Sequence, residues 1–151
     1  MPDSVKETRV GIRGERTGMS SAISTSLKST FADAVARTRD ALAGQGFGVL
    51  TEIDMKATLK AKLDQDMENY LILGACNPPL AHRAVDIDRQ IGLLLPCNVV
   101  VRTDPSDDTR VLVEAMNPQL LVQVTEEPAL QDVADEVTAK LRAAIDSLTQ
   151  T

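Results

Sequence analysis

YLILGACNPPLAHRAVDI, residues 70–87, is the stretch whose reading decides the fold. Its first seven residues are apolar almost without a break, the pattern of a strand covered on both faces. The run halts at Asn77-Pro78-Pro79, where asparagine favours a turn and two residues without an N–H cannot continue a ladder. Pro79 suits the first position of a helix, where an amide hydrogen would have no partner anyway. Leu80, Ala84, Ile87 and Ile91 then recur at helical spacing, which predicts a helix over 80–91 with His82, Asp86 and Arg89 on its opposite face. A central strand therefore runs through a tight turn into a helix.

Upstream, residues 47–53 alternate Phe47, Val49, Thr51 and Ile53 against Gly48, Leu50 and Glu52, which reads as a strand. Residues 20–27 alternate in the same way, with Ile23, Thr25 and Leu27 on the apolar side. Between them Thr30 and Asp33 form a capping box, and Phe31, Ala34, Val35, Ala41 and Leu42 keep helical spacing until Gly44 and Gly46 stop it. Asp54 caps a short helix bearing Met55, Leu59 and Leu63, with Lys56, Lys60 and Lys62 in solvent.

Downstream, residues 92–102 are the most hydrophobic of the chain, and Pro96 forces a bulge or an unpaired side there. The turn Asp104-Pro105-Ser106-Asp107-Asp108 joins this segment to a second alternating run, 110–116, as an antiparallel hairpin. After Asn117-Pro118 and a short apolar connector, Pro128 leads into a long helix. Leu130, Val133, Ala134, Val137, Leu141, Ala144, Ile145 and Leu148 form its stripe, and Lys140 and Arg142 suit its C-terminal dipole. Strands that follow one another without a helix after each favour an α+β plan, a mainly antiparallel sheet with helices on one face. Residues 1–19 read as an N-terminal extension, with a weak edge-strand pattern at Thr8, Val10 and Ile12, and residues 20–151 as one domain.

Composition limits the function. A formal charge of −6 repels phosphate backbones and anionic membranes, and three rings, Phe31, Phe47 and Tyr70, leave little to stack on bases. No nucleic-acid partner is expected. No apolar run spans a bilayer and the first residues lack a signal peptide's apolar core, so no membrane partner and a cytoplasmic location are expected. Two cysteines without a CxxC motif agree with a reducing compartment.

Three segments, GFGVLTEID at 46–54, LGACNPPLA at 73–81 and GLLLPCNVVV at 92–101, resemble the diagnostic segments of the family catalogued as domain of unknown function 302. The resemblance covers about residues 20–148. It implies a TATA-binding-protein-like fold, a curved antiparallel sheet with helices on one side, and a tendency to form homodimers. It supplies no reaction.

The chemistry-bearing residues of those segments are Cys76, Asn77, Cys97 and Asn98, the ligand-binding candidates, and they form one site if the sheet brings the segments together. Cys76 and Cys97 with His82 would alternatively offer soft ligands to zinc or copper, or act as a reversible dithiol in a redox enzyme. A third reading makes the cysteines small buried hydrophobes and the asparagines turn-formers. Gly44, Gly46 and Gly48 follow a helix and precede a strand, the reverse of a phosphate cradle, so no cofactor follows from them. A single histidine leaves no case for a hydrolase triad. A non-catalytic, homodimeric small-ligand-binding or accessory domain is the leading expectation, with the thiol enzyme or metal handler as its rival.

Overall fold

The computed structural model describes residues 22–149; the expected extension over 1–19 lies outside them. The elements are β1 (Ala22–Lys28), α1 (Phe31–Gly44), β2 (Gly48–Asp54), α2 (Met55–Leu63), β3 (Tyr70–Cys76), α3 (Pro78–Ile87), β4 (Cys97–Asp104), β5 (Asp107–Met116), α4 (Gln119–Thr125) and α5 (Gln131–Ser147). Short 3-10 segments, Arg89–Leu94 and Pro128–Leu130, precede β4 and α5. One open five-stranded sheet runs β1-β5-β4-β3-β2, with every neighbouring pair antiparallel. The α+β plan read from the sequence is the observed one.

Register separates the two faces of the sheet. Ile23, Ala115, Val99 and Leu73 lie in one row across four strands, and all four are buried. Leu27, Val111, Val113, Val101, Leu71 and Ala75 continue this inner face, which α1 and α5 cover. Helix α5 supplies the matching stripe, with Val133, Ala134, Val137, Leu141, Ala144 and Ile145 all buried. Fully burying a side chain such as Leu141 stabilises by about 1.5–3 kcal/mol, and with few rings available this aliphatic seam is the core. Arg37 fastens α1 to the end of α5 by donating to the Leu148 carbonyl at 2.6 Å.

Several local expectations change. The capping box at Thr30 closes on one side: the Asp33 amide donates to Thr30 Oγ1 at 3.2 Å, while the Asp33 carboxylate accepts from the Ser29 hydroxyl at 3.4 Å. Strand β2 does not keep its alternation, because its register shifts between Val49 and Thr51. Leu50 is the extra residue and points to solvent, 67% exposed. Beyond this bulge Glu52 takes the inner side opposite Leu73, where Arg39 of α1 pairs with it, and Thr51 and Ile53 turn outward. In α2 no residue is buried and Leu63 is exposed, so the spacing of four there marks a surface helix standing at the β2–β3 end.

The helix expected over 80–91 begins two residues earlier and ends at Ile87. Asp88 adopts an extended conformation, and its carboxylate accepts from the Gln90 amide at 2.9 Å, which starts the following 3-10 turn. Ile91 is buried in that turn, whereas Ile87 is 38% exposed. Pro96 precedes β4 rather than interrupting it, as its missing N–H would predict for a residue outside the ladder. The apolar connector after Pro118 is helix α4. Lys140 and Arg142 lie before the last turn of α5, which holds no basic residue.

Candidate functional site

The two Cys-Asn segments meet. Strands β3 and β4 pair so that Gly74 faces Asn98 and Ala75 faces Cys97, which places Cys76 one position along from Cys97 on the neighbouring strand. Gly74 makes this approach feasible. A Cβ there would lie 2.1 Å from Thr51 Oγ1 and 2.8 Å from Pro96 Cγ, so the proline ring and the bulged β2 both close over a bare backbone.

Asn77 locks the exit from β3. Its Oδ1 accepts from the Leu80 amide at 3.4 Å, its carbonyl accepts from the Ala81 amide at 2.8 Å, and Nδ2 donates to the Gln45 carbonyl at 3.3 Å. One side chain thus caps α3 and holds the turn between α1 and β2, at 9% exposure. A cap of this kind stabilises by about 1 kcal/mol. Gly46 completes the joint: it has φ +87, and an added Cβ would stand 3.0 Å from Asn77 Nδ2. Pro78, not Pro79, is the first helical residue, with both prolines in positions whose amides the helix does not use.

Between these strand ends and helices α3, α4 and α5 lies a cavity of about 40 Å3. Cys76, Asn77 and Cys97 all line it, together with Leu80, Leu121 and Val133 among other apolar residues. Apart from Asn77 and the two thiols its wall is hydrocarbon. Both cysteines are free. Burial pushes the Cys97 thiol up to about 11, and neighbouring Cys76 adds a smaller effect in the same direction. Cys97 is therefore a protonated, weakly polar lining group at neutral pH, since the thiolate is the form that attacks and ligates.

Asn98 lies elsewhere. It is exposed on the outer face of the sheet, opposite Gly74, and does not line the cavity. His82 is exposed on α3. Among the described residues no group of three or more His, Cys, Asp or Glu side chains is arranged to hold a metal ion. Sequence reasoning missed the far wall: Leu121 belongs to the segment read as a connector, and Val133 and Val137 were read as core stripe alone. It also missed Gln45 and Gly46, for which the glycine after a helix was the available signal.

Two faces flank this site. Beside the cavity an open cleft of about 570 Å3 includes Gly46, Arg83, Glu136 and Lys140 and shares Asn77 and Leu80 with it. The outer sheet face carries half-buried Tyr70, Ile72, Val100, Leu112 and Met116. Its Arg102 donates to Glu114 through Nε at 2.7 Å and Nη2 at 3.2 Å. Among the described residues no helix is long and apolar enough to cross a membrane.

No curated protein matches the chain. The crystal structure of an uncharacterized conserved protein DUF302 from Bacillus stearothermophilus is similar, with a TM-score of 0.77 at 25% sequence identity over 85% of this chain and 98% of that one. The family model described as Domain of unknown function DUF302 matches residues 23–148, which includes every residue of the cavity wall, and the chain belongs to that family.

Proposed function

We propose that this chain is a non-catalytic binding domain, working as a homodimer in the cytoplasm, whose ligand enters the cavity at the paired strand ends. One observation carries the reading: residues far apart in sequence, Cys76, Asn77 and Cys97, converge on an apolar space beside a single buried amide. A concave space with predominantly apolar walls is the larger part of what a small-ligand site requires, and the Asn77 amide, bonded to Leu80 and Gln45, holds its rim in shape. The volume sets the scale, since a water needs roughly 10–15 Å3 measured in this way; about 40 Å3 suits a solute of a few heavy atoms. The raised Cys97 thiol weighs against the thiol-enzyme and soft-metal alternative, because both need the deprotonated sulfur. Two free cysteines fit a reducing cytoplasm.

Xenon is the probe. Under xenon pressure the methyl resonances of Leu80, Leu121 and Val133 should shift while those of the β1 end stay fixed, and Ala81→Leu, which fills the cavity from α3, should abolish the response. Methyls that ignore xenon in a folded wild-type protein would remove the reading.

The second copy is expected on the outer sheet face. Its apolar row is half-buried among the described residues, and its central charges, Arg102 and Glu114, neutralise each other within the face, so two such faces meet without repulsion. Light scattering should give twice the chain mass, and Val100→Glu should halve it; a wild-type monomer at micromolar concentration would exclude the dimer.

A further inference from the structure

We infer that the ligand is a small amphipathic anion, its short apolar end in the cavity and a carboxylate or like group in the adjoining cleft beside Lys140. This deepens the proposed function and rests on its cavity. The cavity alone is nearly featureless to charge, but it does not stand alone: Asn77 and Leu80 line both it and the open cleft, so the two spaces adjoin at these residues.

The cleft has the opposite character to the cavity. Arg83 Nη1 meets Glu136 Oε2 at 2.9 Å, which balances that pair and fixes its position between α3 and α5. Lys140 follows Glu136 by one helical turn, is half-buried, and forms no ion pair among the described residues. The cleft thus holds one uncompensated cation on a protein of formal charge −6. On an acidic protein this cation is a local attraction for an anion, and Arg83 keeps guanidinium donors beyond the one given to Glu136. A neutral ligand would use the cavity and leave this cation idle; a large or doubly charged one would not pass its apolar end into about 40 Å3. A short chain with a single anionic head satisfies both spaces at once.

The full chain is titrated with butyrate and with butan-1-ol, which share a tail and differ in head charge, and followed by methyl and amide spectra. Butyrate should perturb the Leu121 and Val133 methyls together with the Gly46 and Lys140 amides. Lys140→Gln should weaken butyrate about tenfold, the worth of one charge-assisted hydrogen bond, and leave butan-1-ol unchanged. Added salt should act on butyrate alone. Equal affinity for the two probes, or a Lys140→Gln protein that still prefers butyrate by the same factor, overturns the inference. If xenon still enters in that case, only the anionic head is lost; if xenon also fails, the cavity reading falls with it.

Discussion

Gly74→Ala is expected to destabilise the protein by about 1–3 kcal/mol, the range for forcing an extra carbon into a filled space, although alanine is otherwise the mildest replacement for glycine. The new Cβ would stand 2.1 Å from Thr51 Oγ1 and 2.8 Å from Pro96 Cγ. Thr51 is exposed on an edge strand and can turn its hydroxyl away; the pyrrolidine ring has no such freedom. Thr51→Ala in the same chain should therefore recover part of the loss and not all of it, because the proline contact remains. Gly48→Ala is the control, with nothing within 4 Å of its Cβ and a change of no more than about 0.5 kcal/mol expected. Denaturant midpoints decide the matter, and a Gly74→Ala protein as stable as Gly48→Ala would show that β3 and Pro96 are not in close contact.

That contact illustrates what was legible beforehand. Strand β3 was readable because its apolar run and its stop at Asn77 are both local properties, and α5 because eight stripe positions agree on one period. The bulge at Leu50 was not readable: a run read as alternating, with Leu50 apolar on the side of Gly48 and Glu52, gives no sign that its partner needs Thr51 turned outward over Gly74. Helix α4 was hidden for a similar reason. Its seven residues include two valines and a threonine, poor helix formers, and its place is set from outside, by Leu121 in the core and by Gln119 Nε2 donating to Asp135 at 3.1 Å and Thr138 at 3.0 Å. At Asp88 the helical spacing was read straight through a residue that caps a new turn, because Ile91 continues the apolar period through a 3-10 turn rather than through the helix.

The site was legible by halves. Cys76 and Asn77 straddle the end of a strand, so both can turn toward one space once the chain leaves the sheet. Cys97 and Asn98 are successive residues within a strand, and alternation sends them to opposite faces. Strand geometry alone therefore separates Asn98 from the other three residues, and the recurrence of Cys-Asn in two segments conceals two different roles for asparagine: Asn77 ties three backbone groups together, while Asn98 stands in solvent opposite Gly74.

With Cys76→Ser leaving one thiol, alkylation of Cys97 by iodoacetamide at neutral pH should run about 10- to 100-fold below that of an unfolded-chain thiol, since burial, the larger cause of the rise from 9.0 to about 11, remains while the smaller effect of Cys76 is removed. Burial of the sulfur slows it further. The same shift enters stability with a definite sign. Below pH 9 the thiol is protonated in both states and contributes no pH dependence. Between 9 and about 11 the unfolded chain releases the proton while the folded chain still holds it, so stability falls as pH rises, by about 2–3 kcal/mol in all. Other groups titrate in that window, and the contribution of Cys97 is the difference between the wild-type curve and that of Cys97→Ala. The two curves should run parallel below pH 9 and converge or cross above it. A fast reaction at neutral pH, with parallel curves throughout, would mean that Cys97 is an accessible thiolate and would favour the thiol-dependent alternative over a receptacle for an apolar group.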